Sequence, residues 1–146
     1  MASVRTQRLT LTGKQHSSSG KAPRILTFST NTISDPGIDL AGSAHMHYSP
    51  TVVVVPVPCS SGIKPEWILY ALDLGFDGIF IAADGTDCAY VSDCTHRTAQ
   101  IVDRAQKLIV EHGYDPQRLK MAAICSVCAE SFVSHIENFS QTLSTI

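Results

Sequence analysis

Two periods of apolar residues run along this chain. Short runs of β-branched and aromatic residues read as strands, and apolar residues recurring every three or four positions read as helices. Arg24 to Phe28 is the first predicted strand. Thr51 to Pro58 (TVVVVPVP) is the second. Its continuous apolar run is the pattern of a strand covered on both faces. Pro56 and Pro58 lack amide donors, which places them near the strand's end or at a sheet edge. Gly78 to Ala83 and Leu119 to Cys125 complete the set. Residues 31–50 are rich in turn formers and predict one short helix around Asp39 to Ala44. A helix from Pro65 to Leu74 opens on proline, turns Trp67, Ile68, Ala71 and Leu72 to one side, and stops at Gly75. A long helix from Cys94 to His112 aligns Ile101, Val102, Ala105, Leu108 and Ile109, with Gly113 as its cap. The last helix directs Ala129, Phe132, Val133, Ile136, Phe139 and Leu143 inward. Strands alternating with helices predict an α/β domain with a four-stranded parallel sheet.

Composition sharpens this picture. The 146 residues are 44% hydrophobic and only 16% charged, against about 25% charged in an ordinary soluble domain. That balance suggests a subunit that hides part of its surface. With a net charge of −2 and no basic stripe in the body, nucleic acid is not an expected partner. The longest apolar run, Val52 to Val57, is far short of the roughly 18 residues of a membrane span. Residues 1–22 carry Arg5, Arg8, Lys14 and Lys21 among Ser, Thr and Gln, without a secretory apolar stretch. They read as a flexible tail before a single domain at 23–146.

The candidate chemistry lies in five cysteines. Cys59 follows strand two, Cys88 lies five residues past strand three, and Cys94 opens the long helix. Cys125 ends strand four and Cys128 is one helical turn on. Any one of them alone is more often a small buried hydrophobe than a ligand. Ligands of open α/β sheets bind at the carboxyl ends of strands, so five cysteines at that end point to a metal or redox site. An odd count in a core-rich chain argues against a disulfide framework and for a reducing, cytoplasmic setting. Soft thiolates suit zinc or an iron–sulfur cluster. Cys125-Ser-Val-Cys128 has C-x-x-C spacing, which holds one metal ion or acts as a thiol–disulfide pair. Structural zinc normally takes two tight pairs, whereas Cys59 and Cys88 are singletons.

His45 and His47 flank Met46, and His96 lies near Cys94. An exposed loop and a solvated helix end explain them. Gly85-Thr86-Asp87 forms a tight turn but lacks a G-x-G-x-x-G fingerprint, and Asp87 repels phosphate, so no flavin of its own is expected. No Ser/His/Asp arrangement or paired acid–base carboxylates appear, and no catalytic residue is assigned.

A set of short motifs resembles the delta subunit of methyl-viologen-reducing hydrogenase, a hydrogenase iron–sulfur subunit family. They are Asn31 with Asp39-Leu40-Ala41-Gly42, Tyr48-Ser49-Pro50, Cys59-Ser60 with Pro65, Phe76-Asp77-Gly78, Asp87-Cys88-Ala89-Tyr90, and Gly113 to Leu119. The resemblance runs from about Arg24 to the C-terminus. It implies a small flavodoxin-like three-layer domain holding a [2Fe–2S] cluster. It implies a relay of single electrons between an iron–sulfur chain and a flavin. The implied partners are a heterodisulfide-reductase-like flavoprotein subunit and other iron–sulfur subunits in a cytoplasmic oxidoreductase complex. The chain departs from the family pattern at Thr30, Ile33 and Ala83, where cysteines are usual, and at Ser61-Gly62, where an arginine is. Only Cys59 and Cys88 carry over as ligands. The expected metal site is therefore Cys59, Cys88, Cys125 and Cys128, with Cys94 as a possible substitute. The alternatives are a cluster-free docking subunit, a C-x-x-C thiol–disulfide protein, or a zinc-binding module.

Overall fold

Val, Ile, Thr and Phe fill four short strands because branched and aromatic side chains pack well on a pleated surface. A computed structural model describes residues 20–86, 88 and 90–146. The strands are β1 (Ile25–Thr30), β2 (Val52–Val57), β3 (Gly78–Ala83) and β4 (Leu119–Ala123). All pair in parallel, in the order β2-β1-β3-β4. The helices are α1 (Ser34–Ser43), α2 (Pro65–Asp73), α3 (Cys94–Glu111) and α4 (Ala129–Thr145). The flavodoxin-like α/β layout is therefore present. Most of the region read as a tail lies outside the described residues.

Successive side chains of a strand point to opposite faces, and the core divides accordingly. Phe80 and Ala82 of β3 meet Ile38 and Ala41 of α1 and Phe132, Ile136, Phe139 and Leu143 of α4. Ile79 and Ile81 turn the other way, onto Ile68, Ala71 and Leu72 of α2 and Ala105 and Ile109 of α3. The helical periodicities read from the sequence thus face the sheet. Leu108 joins neither core cluster, and Trp67 is the clearest exception. It is 44% exposed and leans on Phe28, with ring centroids 6.5 Å apart.

Two expectations are corrected. The first concerns β2, which is not covered on both faces. It is the edge strand, and Val53 and Val55 are exposed, because α2 packs over β1 and β3 and leaves β2 open. The Ile25 and Asn31 amides bond the carbonyls of Thr51 and Val57, so the odd-numbered residues of β2 face β1. Residues 52, 54 and 56 direct their backbone outward, and the missing amide of Pro56 falls on the open edge.

The second concerns α1, which starts at Ser34 rather than near Asp39. Pro36 and Gly37 look like turn formers, yet proline is tolerated in a helix's first turn. Gly37 is needed for closeness: a Cβ there would collide with the Cys125 carbonyl oxygen. Gly37→Ala is expected to destabilise the fold by about 2 kcal/mol, read from urea unfolding. Thr27 is a contrasting case. Its buried hydroxyl has no hydrogen-bond partner, so Thr27→Val should leave the urea midpoint unchanged or raise it.

Candidate functional site

A strand order in which β1 sends the chain one way and β3 the other creates a crevice between their carboxyl ends, where such folds bind ligands. In this protein that crevice is filled from within. Thr30 Oγ1 donates to Asp84 Oδ1 and also pairs with Ser34 Oγ at 3.0 Å. Ser34 Oγ bonds the Ala82 carbonyl at 2.8 Å and accepts from the Thr30 amide at 2.7 Å. Thr30 and Ser34 are fully buried and Asp84 nearly so. Ser29 Oγ donates to Asp35 Oδ1 at 2.8 Å nearby. Hard oxygen donors therefore occupy the centre of the sheet end. The sequence marks Thr30 only as a place where the family pattern has a cysteine, and it does not single out Ser34, because a lone hydroxyl gives little signal of its own.

The thiols lie to either side of this network. Cys59 leaves β2 and enters a short 3₁₀ turn at Ser60–Gly62. Cys94 is the first residue of α3. Their sulfurs are 3.4 Å apart. Ser60 staples the turn to the helix: its Oγ lies 2.8 Å from Thr98 Oγ1, and Thr98 Oγ1 donates to the Cys94 carbonyl. Ser60 Oγ is also 3.6 Å from Cys94 Sγ, and Ser61 Oγ is 3.0 Å from Cys59 Sγ.

Electrostatics split the pair. Burial works to raise the pKa of the Cys94 thiol, but hydrogen bonds from Ser60, Cys59, the Ser61 backbone and Cys88 hold it below the ordinary value. Burial raises the Cys59 pKa, and its bond to Cys94 adds to this, against the opposing bonds from Ser61. The surroundings thus favour the thiolate more at Cys94 than at Cys59. Cys88 is half-buried.

Cys125 and Cys128 are elsewhere. They are joined by a disulfide before α4, on the face of the sheet that carries α1, and Cys128 packs against that face's core. The structure therefore brings Cys59 and Cys94 together, while Cys125 and Cys128 pair with each other on the other face of the sheet. No group of three or more metal-holding side chains is poised among the described residues. A [2Fe–2S] cluster takes four thiolates; here the described thiols stand as one close pair, one disulfide and the single thiol of Cys88. The turn at Gly85 cannot be followed through Asp87, which lies outside the described residues. His45, His47 and His96 are all exposed, in keeping with their loop and helix-end positions in the sequence.

Beyond the thiols, α2 and β2 share an apolar surface. Trp67, Tyr70 and Leu74 line one stripe of the helix, and all are exposed. Val53 and Val55 lie on the same side of the sheet, Val55 beside Phe28 in the β1–β2 register. No helix among the described residues is long and apolar enough to cross a membrane.

The described residues form a small parallel α/β domain with a close pair of thiols past the carboxyl ends of its strands. The family model for the methyl-viologen-reducing hydrogenase delta subunit matches residues 25–146, and the chain belongs to that family. It is 29% identical over 121 residues to the iron-sulfur subunit of the F420-non-reducing hydrogenase of Archaeoglobus profundus, covering 83% of this chain and 88% of that one. The vhc iron-sulfur subunit of the corresponding Methanococcus voltae hydrogenase is 39% identical over 111 residues, covering 75% and 76%. One subunit of the ferredoxin:CoB-CoM heterodisulfide reductase of Methanosarcina mazei is 32% identical over 127 residues. That match covers 86% of this chain but only 16% of the larger protein.

Proposed function

We propose that this chain is a non-catalytic docking subunit of a hydrogenase- or heterodisulfide-reductase-type oxidoreductase, in which the partner subunits carry the clusters and the flavin. The observation that carries this reading is the apolar surface of Trp67, Tyr70, Leu74, Val53 and Val55. Exposed apolar residues grouped in this way mark an interaction face. A heterodisulfide-reductase-like flavoprotein subunit is the occupant, because a stretch similar to nearly all of this domain is built into the longer M. mazei reductase chain. The oxygen network at the β1/β3 crevice and the separated thiols support a cluster-free role.

A second reading is favoured by the close pair of Cys59 and Cys94 past the strand ends. It is an iron–sulfur electron-transfer subunit that relays single electrons between an iron–sulfur chain and a flavin. Cys59, Cys88 and Cys94 would be its first ligands, and Cys125 and Cys128 would join only once their disulfide is reduced.

Anaerobic purification with the native partners separates the two. The docking reading expects a complex in which this chain adds no iron or acid-labile sulfide. Two irons and two sulfides per chain, with [2Fe–2S] absorption, would establish the relay instead. Trp67→Glu with Tyr70→Glu should release the chain from its complex, lowering the retained amount at least tenfold. Its thermal midpoint should stay within a few degrees, since both residues are exposed.

A further inference from the structure

We infer that Cys59 and Cys94 form a redox-active dithiol, which closes to an intramolecular disulfide by exchange with a low-molecular-weight disulfide of the glutathione type. The inference rests on the cluster-free reading of the site. Residues 35 positions apart bring their sulfurs to 3.4 Å. Bond formation needs the sulfurs to close by about 1.4 Å, within the reach of side-chain rotation. The Ser60–Thr98 hydrogen bond fixes the turn against the helix and holds the two together. Cys59 is partly open to solvent, whereas Cys94 is 1% exposed behind it. Access, not acidity, therefore makes Cys59 the entry thiol, backed by Cys94 as the resolving thiol.

The exchange balances in two steps. The Cys59 thiolate attacks one sulfur of the external disulfide, forms a mixed disulfide and releases one thiolate. The Cys94 thiolate then attacks the Cys59 sulfur, forms the Cys59–Cys94 bond and expels the second thiolate. Two protein thiols lose two protons and two electrons in all, and the external disulfide becomes two thiols. Cys125 and Cys128 take no part, since they are already bonded to each other on the opposite face.

The test exposes the full chain, purified anaerobically, to graded ratios of oxidised to reduced glutathione. Thiols are then capped with maleimide and the peptides read by mass spectrometry. The expected product is a Cys59–Cys94 linked peptide, with Cys88 still capped as a free thiol. Cys94→Ser should stop the reaction at a stable glutathione adduct on Cys59. A wild-type chain that keeps the adduct, links Cys59 to Cys88, or does not react would overturn the dithiol while leaving the docking role intact. Iron and acid-labile sulfide held through Cys59 in the same sample would overturn both.

Discussion

Replacing Phe132 with alanine is expected to cost about 3–5 kcal/mol. Phe132 is fully buried in α4. Its ring meets Tyr48 edge-on at 5.3 Å and Phe80 at 6.4 Å. It thereby ties the loop after α1, the central strand β3 and the last helix together. Truncation removes apolar contact and leaves a cavity, because Phe80 and Phe139 are themselves locked against the sheet. A domain of this size should lose roughly 10 °C in melting temperature. Phe132→Leu should recover much of that by filling the space. A loss of under about 1 kcal/mol for the alanine variant in urea unfolding would show that the α1–α4 layer does not depend on this ring.

Thr30→Val comes second, with an expected loss of about 3 kcal/mol. The valine keeps the shape and removes one hydroxyl. That hydroxyl bonds Asp84, Ser34 Oγ and the Ser34 amide. Asp84 has no other side-chain partner among the described residues and is only 7% exposed, so the substitution strands a nearly buried carboxyl group. The double variant Thr30→Val with Asp84→Leu removes both ends of the contact and should recover part of the loss. A Thr30→Val protein as stable as the parent would mean that water replaces the hydroxyl and that the crevice is open to solvent. That result would remove one support of the cluster-free reading.

Sequence pattern reaches some of these features and not others. The strands and the inward faces of α3 and α4 are legible, because burial imposes a period that residue type records directly. β2 is misleading because four valines in a row look the same at a covered strand and at an edge. Its exposure depends on where α2 crosses, and that is a property of the whole sheet. The start of α1 is hidden by Pro36 and Gly37, whose local preferences suggest a turn while their packing requires a helix. At the thiols, each cysteine's place at a strand end can be read from spacing. Which cysteines meet cannot. Cys94 touches Cys59 only because α3 docks against the turn after β2, whereas Cys125 and Cys128 are neighbours in the chain and find each other first.

On the proposed docking role, the outward side of β2 limits how the chain could meet a partner. The amide of Val52 is taken by the Ser49 carbonyl, and Pro56 has none to offer. Val54 is left as the one amide of the strand aimed outward, too little to template the growth of a sheet from a neighbouring chain. The apolar surface beside it is therefore recognised through side chains and shape, not through a generic backbone ladder. An edge that disfavours strand addition would let such a face stay selective for one partner.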